Sequence, residues 1–199
     1  MADLKFCPQC GSVLSTKFEG GRERVACLKD GCGYFHFGDS SIGAGGVVVQ
    51  DGKALLIQRG INPGKGMWQI PGGYVEVDEP IHTAVEREVL EEAGVVAQVT
   101  DALGFRHAAS VTEGRPANLY VVFRLEAVSG EPRFDGHETT GAGYFSLDEM
   151  DRMDGVQALS LWAIRMAFAN PPGSGLLAGQ GDIEVRPGWS LFGLSQPTP

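Results

Sequence analysis

The sequence predicts an α+β domain preceded by a small metal-stabilised ribbon. Three observations predict it. Strand-like apolar runs and helical patterns alternate as β-β-α-β-β-α between residues 42 and 169. All four cysteines lie in the first 32 of 199 residues, in two close pairs. One predicted helix, from Glu79 or Pro80 to Ala93, gathers three carboxylates on one face.

The ribbon comes first. Residues 1–37 read as short strands whose core is too small to stand alone without metal. Cys7-Pro-Gln-Cys10-Gly11 and Cys27-x4-Cys32-Gly33 are separated by 16 residues, which reads as a four-thiolate zinc site. Gly11 and Gly33 ease the turns that wrap the metal. Two disulfides are the competing reading, and a reducing compartment together with the CPxCG sequence counts against them. The longer spacer of the second pair predicts a wider knuckle. Lys5-Phe6-Cys7 and Tyr34-Phe35-His36-Phe37 are expected to pack around this unit, with His36 packing or facing solvent rather than joining the ligands.

After a polar connector at Gly38-Asp39-Ser40-Ser41, the apolar runs Ile42–Gln50 and Ala54–Arg59 meet at Asp51-Gly52, a strong hairpin signal. The loop Asn62-Pro63-Gly64-Lys65-Gly66 leads to Met67–Ile70, and Pro71-Gly72-Gly73 reads as a turn. Pro80 suits the first turn of the helix and Gly94 its end. Val95–Ala108 and Leu119–Ala127 read as strands around a turn at Thr112-Glu113-Gly114-Arg115-Pro116, Gly143–Ser146 as another strand, and Val156–Ala169 as an amphipathic helix. Residues 171–199 are rich in Pro and Gly and read as a tail docking through Trp189, Leu191 and Phe192. The expected domains are therefore 1–37, 42–170 and 171–199.

The central helix carries the chemistry. At about 100° per residue, Glu91 falls at about −60° and Glu92 at about +40° from Glu88. Val85, Val89, Leu90 and Ala93 cluster on a neighbouring arc as a core face. Like charges packed this way destabilise a helix by a few tenths of a kcal/mol per pair. Mg²⁺ or Mn²⁺, which favour carboxylate oxygens, would offset that cost. A solvated acidic helix without chemistry is the alternative.

Formal charge is −9 and pI about 4.9. That balance argues against a broad nucleic-acid or anionic-membrane surface. A phosphorylated small molecule stays open, because bound cations invert the local sign. No apolar run reaches the ~20 residues of a membrane span, and the first residues lack the apolar core of a signal peptide. A cytoplasmic location is the expectation.

The stretch Gly73-x5-Glu79-x7-Arg87-Glu88-Val89-x-Glu91-Glu92-x-Gly94-Val95 matches the Nudix box, GX5EX7REUXEEXGU with U aliphatic, at every defined position. The chain thus resembles the Nudix hydrolases. The resemblance implies the Nudix fold, a mixed β-sheet sandwiched between helices, here preceded by a small zinc ribbon. It implies a pyrophosphatase using Mg²⁺ or Mn²⁺, with Glu91 and Glu92 as principal metal ligands and Glu88 as ligand or base. It also implies that Gly73 offers a carbonyl to a metal and that Arg87 pairs with Glu79 to shape the loop. Glu138, in Asp135-Gly136-His137-Glu138-Thr139-Thr140, is the general-base candidate such relatives suggest, with His137 a weaker one.

A KFCPQCG-type ribbon directly before such a domain is similar to a group hydrolysing FAD or ADP-ribose, and more loosely to NADH pyrophosphatases. This chain lacks the SQPWPFPxS motif of the latter, having Phe105-Arg106-His107-Ala108-Ala109-Ser110 in that region. It also lacks the proline that many ADP-ribose pyrophosphatases carry where Ser110 and Val111 sit. A dinucleotide-like substrate wants ring platforms and cations for phosphate. Phe105, Tyr120 and Trp68 are candidate stackers, although Tyr120 and Trp68 lie in expected strands and read rather as core. Arg59, Lys65, Arg106 and Arg115 are candidate phosphate partners. Two other classes remain: a non-catalytic Nudix ligand sensor, and a zinc-ribbon nucleic-acid or protein adaptor, which the acidic charge opposes. Dimers are frequent in similar proteins, so a homodimer is the assembly the resemblance allows.

Overall fold

A computed structural model describes residues 4–111, 116–179 and 188–194. The chain divides into two compact units, Met1–Ser41 with Ala108–Asn118, and Ile42–His107 with Leu119–Pro199.

In the first unit, β1 (Leu14–Glu19) and β2 (Arg22–Cys27) pair antiparallel, from Leu14 opposite Cys27 to Glu19 opposite Arg22. Phe35 bridges Ala26, so the chain after the second knuckle runs beside β2. Gly11 and Gly33 take φ of 71° and 69° just after their cysteines, as the turns around the thiols require. The flanking aromatics do not all pack inward. Phe6 is 62% exposed and Phe37 71%, because a ribbon this thin has no second layer to cover them. His36 is largely buried, with Nε2 3.9 Å from Asp39.

The second unit is built on a seven-stranded sheet. Its strands are β3 (Ser40–Gln50), β4 (Lys53–Arg59), β5 (Trp68–Gln69), β6 (Gly72–Tyr74), β7 (Val96–Ala108), β8 (Ala117–Ser129) and β9 (Thr139–Phe145). The order is β5-β4-β3-β8-β7, with β6 also pairing β3 and β9 also pairing β4. Side chains alternate along each strand, which gives the sheet two buried faces. Leu55, Ile57, Phe123 and Leu125 pack with Val85, Val89 and Ala93 of α1 (Ile81–Ala93). Ala54, Leu56 and Val122 pack with Ala163, Ile164 and Ala167 of α3 (Ala158–Ala169). The result is the expected mixed sheet between helices.

Several local expectations change. Pro71-Gly72-Gly73 is not a turn: Gly72–Tyr74 pairs antiparallel with Gly43–Gly45, because the glycines let the two backbones lie close. Pro80 caps α1 from outside with extended backbone (φ −65°, ψ 142°) instead of entering its first turn. Leu90 is 46% exposed. It lies about 100° beyond Val89, off the Val85–Val89 line that meets the sheet. The strand expected at Gly143–Ser146 begins at Thr139, and Ser146 instead caps α2 (Leu147–Met150). The last long helix starts at Ala158, since Gly155 and Gln157 are held by backbone bonds to Trp68.

Beyond α3 the chain stays on the sheet. Gly175 N–H donates to Asp101 Oδ2 at 2.7 Å and Leu176 bridges Ala102 on β7. Asp101 forms a buried 3.2 Å ion pair with Arg124, whose Nη1 donates to Asn170 O. β10 (Leu177–Ala178) pairs with β11 (Phe192–Gly193). Phe192 sets its ring 5.3 Å from Phe123 and 6.2 Å from His82 of α1. Among the three expected docking residues, Phe192 thus reaches the core, while Trp189 is 47% exposed. Among the described residues no helix is long and apolar enough to cross a membrane.

Candidate active site

Helix α1 lies with Val85 and Val89 toward the sheet, and that orientation sets the depth of each acid. Glu92 falls within the arc swept by Ala84, Val85 and Val89, so its carboxylate is drawn inward. Gly72 N–H meets it there, donating to Oε2 at 2.7 Å. Glu88 is one turn earlier, with only 15% of its side chain exposed, and Glu91 is on the outer flank at 59%. The helix stops at Gly94, whose φ of 70° lets its N–H return to Leu90 O.

Gly73 is required by contact. A Cβ there would lie 2.5 Å from Glu88 Oε1, so any side chain would displace that carboxylate.

Arg87 organises the loop before the helix. Its guanidinium forks onto Glu79, Nε to Oε2 at 3.1 Å and Nη2 to Oε1 at 2.8 Å. Nη2 also donates to Tyr74 O, while Nη1 donates to both Glu88 and Glu91 at 2.9 Å. Arg87 holds the Glu79 carboxyl below the usual range. Burial pushes Glu88 up despite the same guanidinium. Glu92 rises to about 7, chiefly through burial and then through the Glu88 and Glu138 charges, against the Gly72 N–H and Arg59. Carboxylates this crowded and this shielded fit a divalent cation by donor type.

The opposite wall is the turn before β9. A cavity of about 250 Å³ is lined by Glu88, Glu91, Glu92, Asp135, Glu138 and Thr139. Asp135 accepts from the backbone N–H groups of His137 (2.8 Å) and Thr139 (2.9 Å), which holds its carboxyl near 2. Thr139 Oγ1 donates to Glu92 O, and Gly60 N–H donates to Glu138 O. Those bonds fix the turn against both β4 and the helix. His137 is not among the lining residues.

The expected substrate contacts scatter more. Arg59 is close enough to influence Glu92, and its Nε donates to Pro63 O. Lys65 is exposed on its loop. Phe105 is 67% exposed, and the exposed Arg106 lies 5.5 Å above the Tyr120 ring. Trp68 packs edge-on against Phe145 at 5.1 Å, and Tyr120 fills the space above Gly43, Gly45 and Gly72, so both are core rings. Arg115 lies outside the described residues. Asp135, Thr139 and the Gly72 N–H were not anticipated. Only Asp135 had a signal, an Asp-Gly pair opening a turn.

In the ribbon the four thiols are free and converge. Cys7 and Cys32 Sγ are 3.6 Å apart, Cys10 and Cys27 Sγ 3.5 Å, and all four lie within 4.8 Å of one another. Tetrahedral zinc with bonds of about 2.3 Å needs sulfurs about 3.8 Å apart. The cluster fits that ion.

The family model for the NUDIX domain matches residues 40–163. The chain belongs to the Nudix family. Among its Nudix relatives, the ADP-ribose pyrophosphatase of Methanocaldococcus jannaschii is 30% identical over 155 residues, covering 77% of this chain and 90% of that protein. The NAD-capped RNA hydrolase NudC of Yersinia enterocolitica is 28% identical over 149 residues, covering 73% of this chain and 52% of its own length. The fold agrees with a Nudix hydrolase structure from Nitrosomonas europaea, TM-score 0.69 at 22% identity, covering 85% of this chain and 95% of the other. This Nudix chain is a hydrolase of the pyrophosphatase kind.

Proposed function

We propose that the chain hydrolyses the P–O–P bond of a nucleoside diphosphate linked to another moiety, such as FAD, ADP-ribose or an NADH-like dinucleotide, releasing a nucleoside monophosphate. The convergence of Glu88, Glu91 and Glu92 on one cavity with Glu138 across from them carries this reading. Glu88, Glu91, Glu92 and the Gly73 carbonyl would hold Mg²⁺ or Mn²⁺. When bound, the cation neutralises phosphoryl oxygens and acidifies water. Glu138 accepts the proton of the attacking water as its oxygen bonds to phosphorus. The bridging oxygen departs with the leaving phosphate. Arg87, forked on Glu79 and bonded to Tyr74 O, holds the loop in shape beside the acids. Arg59, Lys65, Phe105, Arg106 and Arg115 are the proposed substrate contacts.

Cys7, Cys10, Cys27 and Cys32 are the proposed structural zinc ligands, within a ribbon of residues 1–37 ahead of a catalytic domain of residues 42–170 and a tail of 171–199. The names of the two relatives, an ADP-ribose pyrophosphatase and an NAD-capped RNA hydrolase, support the substrate class. Turnover of a panel of FAD, ADP-ribose, NADH, NAD and dinucleoside polyphosphates with Mg²⁺ or Mn²⁺, read by mass, tests it. Release of a nucleoside monophosphate from at least one is expected. Tight binding with no hydrolysis anywhere would make the chain a ligand sensor instead.

A further inference from the structure

The ribbon bears a feature that hydrolysis does not use. In β1 and β2, Lys17 stands directly opposite Arg24. Like charges in such a cross-strand pair repel. Among the described residues neither has a carboxylate partner: Arg24 Nε donates to Glu19 O, a neutral carbonyl. Both cations rest on rings instead. Lys17 Nζ is 5.3 Å from the Phe35 centroid and the Arg24 guanidinium 4.8 Å from that of Phe37.

The backbone explains the grouping. His36 N–H donates to Val25 O and Phe35 bridges Ala26, so the run 35–37 lies antiparallel beside β2. That register places Phe37 in one row with Arg24 and Lys17. At the end of this face Glu19 stands opposite Arg22, a pair that cancels itself. Phe37 is 71% exposed. The row is therefore an exposed ring, one face of which carries Arg24, in line with two cations that lack a carboxylate partner among the described residues.

Charge distribution agrees. Residues 1–41 carry five basic and five acidic side chains, so the chain's whole net charge of −9 lies elsewhere. We propose that the Phe37-Arg24-Lys17 row binds single-stranded nucleic acid, with a base stacked on Phe37 and adjoining phosphates on Arg24 and Lys17. A ring in line with two cations suits an unstacked base and its backbone. A paired duplex offers no free base to the ring. The row shares no residue with the lining of the hydrolytic cavity and does not depend on how that cavity is read.

Fluorescence anisotropy of the intact, metal-loaded chain with a labelled 12-nucleotide single-stranded RNA bearing a 5′-hydroxyl tests it, since that probe contains no pyrophosphate to cleave. At low salt a Kd on the order of 10⁻⁵ M is expected, with log K against log salt sloping about −1.4 for two phosphate contacts. Lys17→Gln with Arg24→Gln brings that slope near zero. Phe37→Leu weakens binding about tenfold and leaves the slope unchanged. Metal content and circular dichroism confirm that each variant is folded. No binding at low salt, or binding indifferent to these substitutions, overturns the proposal. So does equal retention of polyglutamate or duplex RNA, which would assign the face to acidic partners in general.

Discussion

Glu92 shows how one side chain serves two demands. It occupies a helix position that faces the core, yet it must remain an acid. The Gly72 N–H makes that tolerable by donating a hydrogen bond to its inward carboxylate oxygen. Glu92→Gln keeps an oxygen for that N–H and removes only the charge. It is expected to lower kcat by about 10²–10³-fold or more, while the melting temperature without divalent cation does not fall. Steady-state kinetics and a thermal scan check both; wild-type-like turnover sinks the assigned role. At this scale the sequence was most legible where spacing along one helix decided the matter, as for Glu88, Glu91 and Glu92, while the Arg87–Glu79 fork was implied by the family resemblance. It was blind to Gly72 and Thr139, because their contacts with Glu92 span 20 and 47 residues. It misplaced Leu90 because an apolar arc read from composition is wider than the line that actually meets a sheet.

Among the elements, α2 is the instructive omission. Ser146 accepts from Glu149 N–H while the Glu149 carboxylate accepts from Ser146 N–H, a reciprocal cap around a single turn. Ser146-Leu147-Asp148-Glu149 spells that cap, but Ser146 was expected to end a strand and the residues after it to form a turn. The Ser146 bonds, then Lys53 at 3.1 Å, hold the Glu149 carboxyl near 2 against an ordinary 4.5. A lowered value means the stabilisation is present above pH 4.5 and fades as pH falls through about 2. Glu149→Gln should therefore melt a few degrees below wild type at neutral pH, with the gap closing on acidification. Melting curves across that range measure it, and a gap independent of pH would refute the cause. The β3–β4 hairpin was the easiest element, since the Asp51-Gly52 turn marks where its strands meet.

For the whole molecule, the two cores differ in kind. The sheet domain buries apolar side chains on two faces, whereas the ribbon buries little beyond Cys7, Ala26 and Cys27. Metal removal is accordingly expected to loosen residues 1–37 and leave the carboxylate helix ordered. Hydrogen exchange before and after chelation, with zinc analysis, reads this directly; undiminished protection across the ribbon would contradict it. Docking of the C-terminal segment through Phe192 was expected from its apolar residues, whereas the β10–β11 pairing was not, because the segment carries no local periodicity.

That segment also closes a door. Leu176 sits against the middle of β7 and Gly155–Gln157 against β5, the two outermost strands. Neither end of the β5-β4-β3-β8-β7 path is a bare template at those points, so a neighbouring copy cannot extend the hydrogen-bonded ladder through them without first peeling a covering segment away. Lengthening of the ladder by a second copy is hindered at those two points.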